Sequence, residues 1–248
     1  MRPLPPSWLD EPMAANEASD RVGFSLPVGT VTFLLTDVEA STWNWESSPD
    51  AMGRAVPLHY QLLDDAVASH GGVRPIEQGE GDSVVAAFSR ASDAVAAALD
   101  AQRALAAEPW PDGVNLRVRM AIHTGEAQLR DEGNYFGQAV IRCARLRAIG
   151  HGGQVLLSDV TAGLVRDRLP EGAGLSDLGT HRLKDLGRPE RVWQLRHVDL
   201  VPSFPALRSL DAFRHNLPLQ LTPLIGRQKE IVEIGQSLRQ ERLVADGR

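Results

Sequence analysis

Two aspartates at the ends of apolar runs carry the most specific chemistry in this chain. Asp37 follows "VTFLLT", and Asp82 closes the turn-forming stretch "GEGD" ahead of "SVVAAF". Even a neutral polar group left unpaired beside a core costs roughly 2–7 kcal/mol. Asp37 therefore meets a cation or caps a turn. If the two carboxylates converge, their repulsion is relieved by a hard divalent ion bound through oxygen, magnesium or manganese. The competing reading makes Asp37 a turn cap and Asp82 the stabiliser of a glycine-flanked hairpin. After Asp37, "VEAST" leads into a helix or turn whose backbone N–H groups, around Ser41 and Thr42, suit phosphate oxygens. Arg142, Arg145 and Arg147 crowd one short stretch, where like charges repel unless solvated or facing an anion. Ile141 and Arg145, four apart, share one face of that helix.

These residues need a scaffold, and composition bounds it. The 248 residues, 43% hydrophobic and 23% charged, suffice for one sizeable core with extensions. A net charge of -6 argues against broad adhesion to nucleic-acid phosphates. Apolar runs are strand-sized, and no signal-peptide pattern opens the chain, so no membrane span is expected and the cytoplasm is the expected setting. A single cysteine, Cys143, excludes an internal disulfide and reads as a structural thiol, and His123 as a satisfied strand histidine.

Residues 1–27, rich in proline and acids, read as a flexible leader. Between 28 and 198, strand-like and helix-like stretches alternate. A strand over 28–38 precedes a helix after Pro49, with Met52, Val56, His59, Leu63 and Val67 on one face. Residues 73–78 and 83–88 read as a hairpin, followed by an alanine-rich helix ending near Ala107. A strand over 115–124, a loop over 125–137, a helix from about Gln138 to Ile149 and a further strand complete the series. The order predicts an α+β fold, a ferredoxin-like βαββαβ sandwich with "VWQLR" as an added C-terminal strand. Residues 199–222 read as a proline-containing linker, and 223–248 supply one amphipathic helix.

Taken together, the segments resemble the class III nucleotidyl cyclase catalytic domain. "FLLTDVEAST" is similar to that family's first metal segment, "EGDSVVAAF" to its second and "YFGQAVIRCARLR" to its catalytic helix. "RMAIHTGEA" and "LSDLGTHRLKDLGRPERVWQL" resemble its fourth strand and closing hairpin, extending the likeness over about 28–198. The stretch "FPALRSLDAFRHNLPLQLTPLIGRQKEI" is similar to the linker that leads, in multidomain bacterial transcriptional regulators, into a P-loop ATPase. No "GxxxxGK[ST]" is present, so 223–248 corresponds at most to an incomplete start of that region.

The resemblance implies that Asp37 and Asp82, with the backbone carbonyl of Val38, hold two magnesium or manganese ions. It implies conversion of ATP, or GTP, to a cyclic nucleotide and pyrophosphate at a homodimer interface. Arg145 matches the arginine that stabilises charge on the α-phosphate. Lys184 matches a lysine that holds the terminal phosphates, its alternative being a solvated hairpin lysine. Gln78 and Asn134 occupy the base-selecting positions, where the family carries a lysine and an acid or threonine. Amides donate and accept alike, so relaxed purine selectivity is expected. Ile141 replaces an asparagine that positions the substrate, a loss on the order of 2.7–4 kcal/mol by analogy with removal of a transition-state donor. Low activity follows. The alternative is a catalytically degenerate cyclase fold acting as a nucleotide-binding or dimerising regulatory module. In the family the metal acids come from one subunit, and the base-selecting residues and arginine from the other.

Overall fold

A computed structural model describes residues 26–76, 81–111, 114–131 and 133–210. The expected leader, save its last two residues, and the expected segments 211–222 and 223–248 lie outside the described residues, as does Gln78. The elements run β1 (Gly29–Val38), α1 (Ser41–Ser47), α2 (Pro49–Ser69), β2 (Val84–Phe88), α3 (Ala91–Ala107), β3 (Val118–Asp131), β4 (Asn134–Phe136), α4 (Gln138–Ala148), β5 (Val155–Ser158), α5 (Asp159–Val165), β6 (Gly174–His181) and β7 (Glu190–Arg196). One mixed sheet carries them in the order β2-β1-β3-β5-β7-β6, with β4 paired to β3. The fold is α+β, as the segment order predicts.

Helices cover both faces of the sheet, which explains why β1 reads as continuous rather than alternating hydrophobicity. Leu34 and Val38 pack with α2 and α3 residues such as Met52, Leu63, Val95 and Leu99. Val31, Phe33 and Leu35 turn the other way, toward Ala139, Cys143 and Leu146 of α4. Strand β1 sits between β2 and β3, antiparallel to both, with Thr36 opposite Val84 on one side and Asp37 opposite Arg119 on the other. The predicted face of α2 holds: Met52, His59, Leu63 and Val67 are buried. Cys143 is fully buried, its thiol 3.3 Å from the Ala121 carbonyl, and burial pushes its pKa up to about 12. It is an inert structural thiol.

Two expectations need correction. Of the strand expected over 73–78, residues 73–76 are described and form none; Val73 alone among them pairs, with Ala87, and Pro75 has no N–H to continue a ladder. Residues 125–137 are not a loop. Strand β3 runs on to Asp131 and folds back as β4, pairing Gln128 with Phe136 and Leu129 with Tyr135. The polar composition of that stretch reflects its exposure beyond the core rather than irregular backbone.

A chain of buried polar groups crosses the helix-covered sheet. Thr32 Oγ1 lies 2.9 Å from Thr124 Oγ1, which lies 3.1 Å from Thr161 Oγ1. Thr161 Oγ1 lies 3.0 Å from Ser158 Oγ, and that hydroxyl lies 2.8 Å from His123 Nδ1. Burial, aided by the charge of Arg142, pulls the His123 pKa down to about 4 from the usual 6.5. The folded protein keeps this ring neutral where the unfolded chain protonates it. Stability is therefore complete above pH 6.5 and is lost as pH falls from 6.5 to about 4, by about 3 kcal/mol from this group. Replacing His123 with Gln should flatten the pH dependence of chemical unfolding in that window. An unchanged slope would mean the ring is not the group that resists protonation.

Candidate active site

The pairing of β1 with β2 ends at Thr36 and Val84, so Asp37 and the Asp82–Ser83 segment leave the sheet side by side. Helix α2 fixes the second of these. Tyr60 Oη donates to the Gly81 carbonyl at 2.8 Å, and His59 Nε2 lies 3.3 Å from the Asp82 carbonyl. A carbonyl only accepts, so the buried ring carries its proton on Nε2, and burial lowers its pKa and keeps it neutral. Backbone at 81–82 is thus held by two side chains from one helix turn, while the Asp82 carboxylate is left for another purpose. Its Oδ2 is buried and has no hydrogen-bond partner among the described residues.

Both acids line one cavity of about 870 Å³. Val38, Ser41, Thr42 and Asn134 line it as well, together with Arg119 and Arg147. The order of these residues follows from the elements. Ala40 adopts a left-handed φ of 56° and turns the chain from β1 into α1, which begins at Ser41. Arg119, opposite Asp37 in the β1–β3 ladder, grips that carboxylate with both ends of its guanidinium, Nε to Oδ1 at 2.8 Å and Nη2 to Oδ2 at 2.7 Å. Arg147 Nε lies 3.3 Å from Oδ2, and its Nη1 donates to the Thr36 carbonyl at 2.9 Å. The charge that the sequence demanded beside Asp37 is therefore present within the chain.

Helix α4 sorts its side chains into three stripes at three- and four-residue spacing. Ala139, Cys143 and Leu146 are buried against the sheet. Val140, Ala144 and Arg147 line the cavity. Ile141 and Arg145 belong to neither set; Ile141 is 44% exposed, and Arg145 donates to Asp185 at 2.8 Å. The arginine cluster seen in the sequence is dispersed onto three separate carboxylates: Arg142 on Glu190, Arg145 on Asp185 and Arg147 on Asp37. Lys184, exposed beside Asp185, is on the Arg145 side and does not line the cavity.

Asn134 departs from the division implied by the resemblance, which grouped it with Arg145. It lines the same cavity as Asp37 and Asp82, because the β3–β4 hairpin folds it back. Its Nδ2 donates to Asp131 Oδ1 at 2.9 Å, so this amide's donor is committed within its own hairpin. Sequence reasoning missed Arg119 and Arg147 as cavity residues. Arg147 was legible, since it repeats the Val140 and Ala144 spacing; Arg119 becomes visible only once the β1–β3 register is known.

The donor set fits a divalent ion. The orphaned Asp82 oxygen needs a cation or a donor, and Asp37 stands in the same cavity. Among the described residues no group of three or more His, Cys, Asp and Glu comes together. Two carboxylates and a carbonyl suit magnesium or manganese, which take remaining oxygens from water and phosphates. Among the described residues no helix is long and apolar enough to cross a membrane.

Comparison with known proteins matches this arrangement to one family. The model for the adenylate and guanylate cyclase catalytic domain covers residues 25–196. An uncharacterized protein of Mycobacterium tuberculosis is 47% identical over 220 residues, 88% of this chain and 74% of that protein. Among solved structures, an adenylate cyclase from Trypanosoma brucei in its monomeric state superposes with a TM-score of 0.65 at 26% identity, covering 75% of this chain and 98% of that one. An adenylate/guanylate cyclase/hydrolase from Silicibacter pomeroyi gives 0.59 at 32% identity, with 70% and 97% covered.

The unequal environments of the two acids make a stability test. Asp37→Asn removes the acceptor charge of two guanidiniums and should cost about 2 kcal/mol, less than the roughly 3–5 of a fully buried pair because Asp37 and Arg119 are 13% and 20% exposed. Asp82→Asn should be neutral or stabilising, since its buried oxygen has no partner to lose. Urea unfolding of both variants decides it; equal destabilisation would show that Asp82 is paired in the fold.

Proposed function

Because this chain belongs to the adenylate and guanylate cyclase catalytic domain family, we propose that it closes a purine nucleoside triphosphate, ATP by preference, to its 3′,5′-cyclic monophosphate with release of pyrophosphate. The observation that carries this reading is the convergence of Asp37 and Asp82 on one cavity, with an unpartnered oxygen on Asp82. Asp37, Asp82 and the Val38 carbonyl would hold magnesium or manganese. Ions bound there would neutralise the triphosphate and lower the pKa of the ribose 3′-hydroxyl.

The chain's own residues have distinct tasks in this proposal. Arg119 and Arg147 bring fixed positive charge into the cavity, where low dielectric strengthens their attraction for phosphate oxygens. Ser41 and Thr42, which line the same cavity, offer hydroxyls and backbone N–H groups. Arg145 acts from a second copy of the chain. On the outward stripe of α4 it points away from its own cavity, so a partner protomer must carry it to the α-phosphate. Lys184, its neighbour in space through Asp185, arrives with it to hold the terminal phosphates. A symmetric homodimer then has two equivalent sites. Ile141, 44% exposed on the same stripe of α4 as Arg145, supports a covered face there. Purine selection is relaxed, because the Asn134 donor is engaged by Asp131 and Gln78 is an uncharged amide. The cytoplasm, rich in ATP and divalent ions, is the setting that suits this chemistry.

A second reading, a regulatory module that binds nucleotide or dimerises without turnover, is favoured by one observation. Ile141 presents hydrocarbon where a hydrogen-bonding group would steady the substrate. Purified protein with manganese and ATP should release cyclic nucleotide at a low rate that vanishes in Asp82→Ala. Product at the variant's background level would move the assignment to the regulatory module.

Two further outcomes follow from the shared site and from Ile141. Asp37→Ala and Arg145→Ala, each inactive alone, should recover activity when mixed, because one hybrid site in each mixed dimer keeps both groups. Dimers that mix and stay inactive would sink the shared site. Ile141→Asn should raise kcat more than it lowers KM, the mark of a contact made mainly in the transition state.

A further inference from the structure

Beyond β7 the chain returns to the core beneath α4. Leu207 and Ser209 are only 5% and 2% exposed, although the stretch has no regular secondary structure. Leu207 joins the cluster built from Cys143, Leu146 and Leu183. Backbone bonds fix its register: Arg208 N donates to the Ile149 carbonyl at 2.9 Å, and Leu210 N to the Arg182 carbonyl at 3.2 Å. His151 Nε2 lies 3.1 Å from the Ala206 carbonyl, and Ser209 Oγ 3.0 Å from His181 Nδ1. One segment therefore touches the end of α4, the glycine turn after it and the β6–β7 hairpin that carries Lys184 and Asp185.

Its side chain at 208 reaches Glu39, whose neighbours Val38 and Ala40 line the cavity. Arg208 Nη2 donates to Glu39 Oε1 at 2.5 Å, and the Gly152 N–H donates to Glu39 Oε2 at 3.1 Å. The Glu39 N–H donates in turn to the Arg117 carbonyl at 2.8 Å. Glycine is required at 152, since a Cβ there would lie 2.8 Å from Glu39 Oε2 and 2.4 Å from Arg117 Cβ. Glu39 stands between Val38 and Ala40. Ala40 holds a left-handed φ of 56°, a strain that persists only where the surroundings fix the backbone. Val38, Ala40, Ser41 and Thr42 all line the cavity. Burial raises the Glu39 pKa, but the bonds from Arg208 and Gly152 outweigh it and the net shift is downward, so the group is ionised.

We infer that Glu39 is a positioning residue for the 38–42 loop and that Arg208 sets it, so that the segment 204–210 links the cavity to the chain that follows Leu210. The pair is 50% exposed at Arg208 and 23% at Glu39, so it adds little to global stability. Its effect is local, on the order of the residues that present Val38, Ser41 and Thr42. The inference leans on the cyclase reading only for the identity of the ligand.

The test uses the full chain with Arg208→Ala, Arg208→Lys and Glu39→Gln. Amide hydrogen exchange at residues 39–42 should quicken about threefold to fivefold in Arg208→Ala, the effect of losing a half-exposed ion pair, while exchange in the β1 interior and the thermal midpoint stay unchanged. Arg208→Lys should restore part of the protection, and Glu39→Gln with Arg208→Ala should add less than the sum of the single changes. Binding of manganese with α,β-methylene-ATP, followed by calorimetry, should weaken by a similar factor. Unaltered exchange at 39–42, or faster exchange throughout the domain, overturns the inference. If wild-type protein fails to bind the probe, the nucleotide reading fails alone, and the exchange measurements still decide the role of Arg208.

Discussion

The carboxylate of Asp37, at the end of a strand buried on both faces, has to be neutralised, and Arg119 and Arg147 do so from two different elements. Arg119 comes from the neighbouring strand, directly across the ladder, and Arg147 from the helix that covers one face. Three elements are thereby fixed to one charge. The arrangement has a chemical consequence. A divalent ion held at Asp37, as proposed, would share its carboxylate with two guanidiniums, so the acid's affinity for metal would be lower than that of a bare pair of aspartates. The same guanidiniums are fixed attractants for a triphosphate, which brings four negative charges with it. On the proposed reading, metal and nucleotide would then bind best together, the phosphates offering Arg119 and Arg147 an alternative to Asp37.

Asp82 is built in the opposite way. Its backbone is anchored by His59 and Tyr60, and its carboxylate carries an oxygen with no partner among the described residues. Among the described residues Asp82 Oδ2 is one of six buried side-chain nitrogen and oxygen atoms without a hydrogen-bond partner, and such exceptions at a cavity are where a ligand can supply the missing contact. Anchoring the main chain while sparing the side chain lets the loop stay rigid without blunting its acid. Helix α4 applies the same economy by rotation. One hundred degrees per residue separates the core stripe, the cavity stripe and the outward stripe, so a single element closes the core, supplies Arg147 to the cavity and turns Arg145 toward Asp185.

Much of this was legible in the sequence, and the misses have physical causes. The strand ending at Val38, the amphipathic α2 and the alanine-rich α3 follow from periodicity alone, because each spans enough residues for its pattern to emerge. Asp37 and Asp82 stood out because both lie at the ends of apolar runs. The 125–137 stretch misled, since a hairpin projecting past the core has polar residues on both faces and so reads as a loop. Short α1 and α5 have too few turns for a periodic signal. Arg119 was hidden by register, which depends on a partner strand eighty residues away. Residues 199–210 read as linker by their prolines, yet Leu207 and Ser209 are buried, because irregular backbone can pack once its polar groups find partners on neighbouring elements.

Ile141 joins the two readings of function rather than simply opposing them. On the outward stripe it is four residues from Arg145, so a partner that covers one covers the other. Ile141 is already more than half buried, so covering its remaining 44% would add on the order of 1 kcal/mol to association, a share of the roughly 1.5–3 for burying a fully exposed side chain. A hydrogen-bonding residue in the same place would contribute less to association and more to the orientation of a bound ribose. On the proposed reading the side chain would shift free energy from the chemical step toward assembly of two copies. Asp37, Asp82 and Arg119 all line the cavity, so the proposed site would keep its means of binding metal and phosphate while the positioning of the attack would be weakened. A domain of that kind would respond mainly to how its two copies are held together. That makes contacts at the edge of the site, such as those of Arg145 with Asp185 and Arg208 with Glu39, the natural places for control.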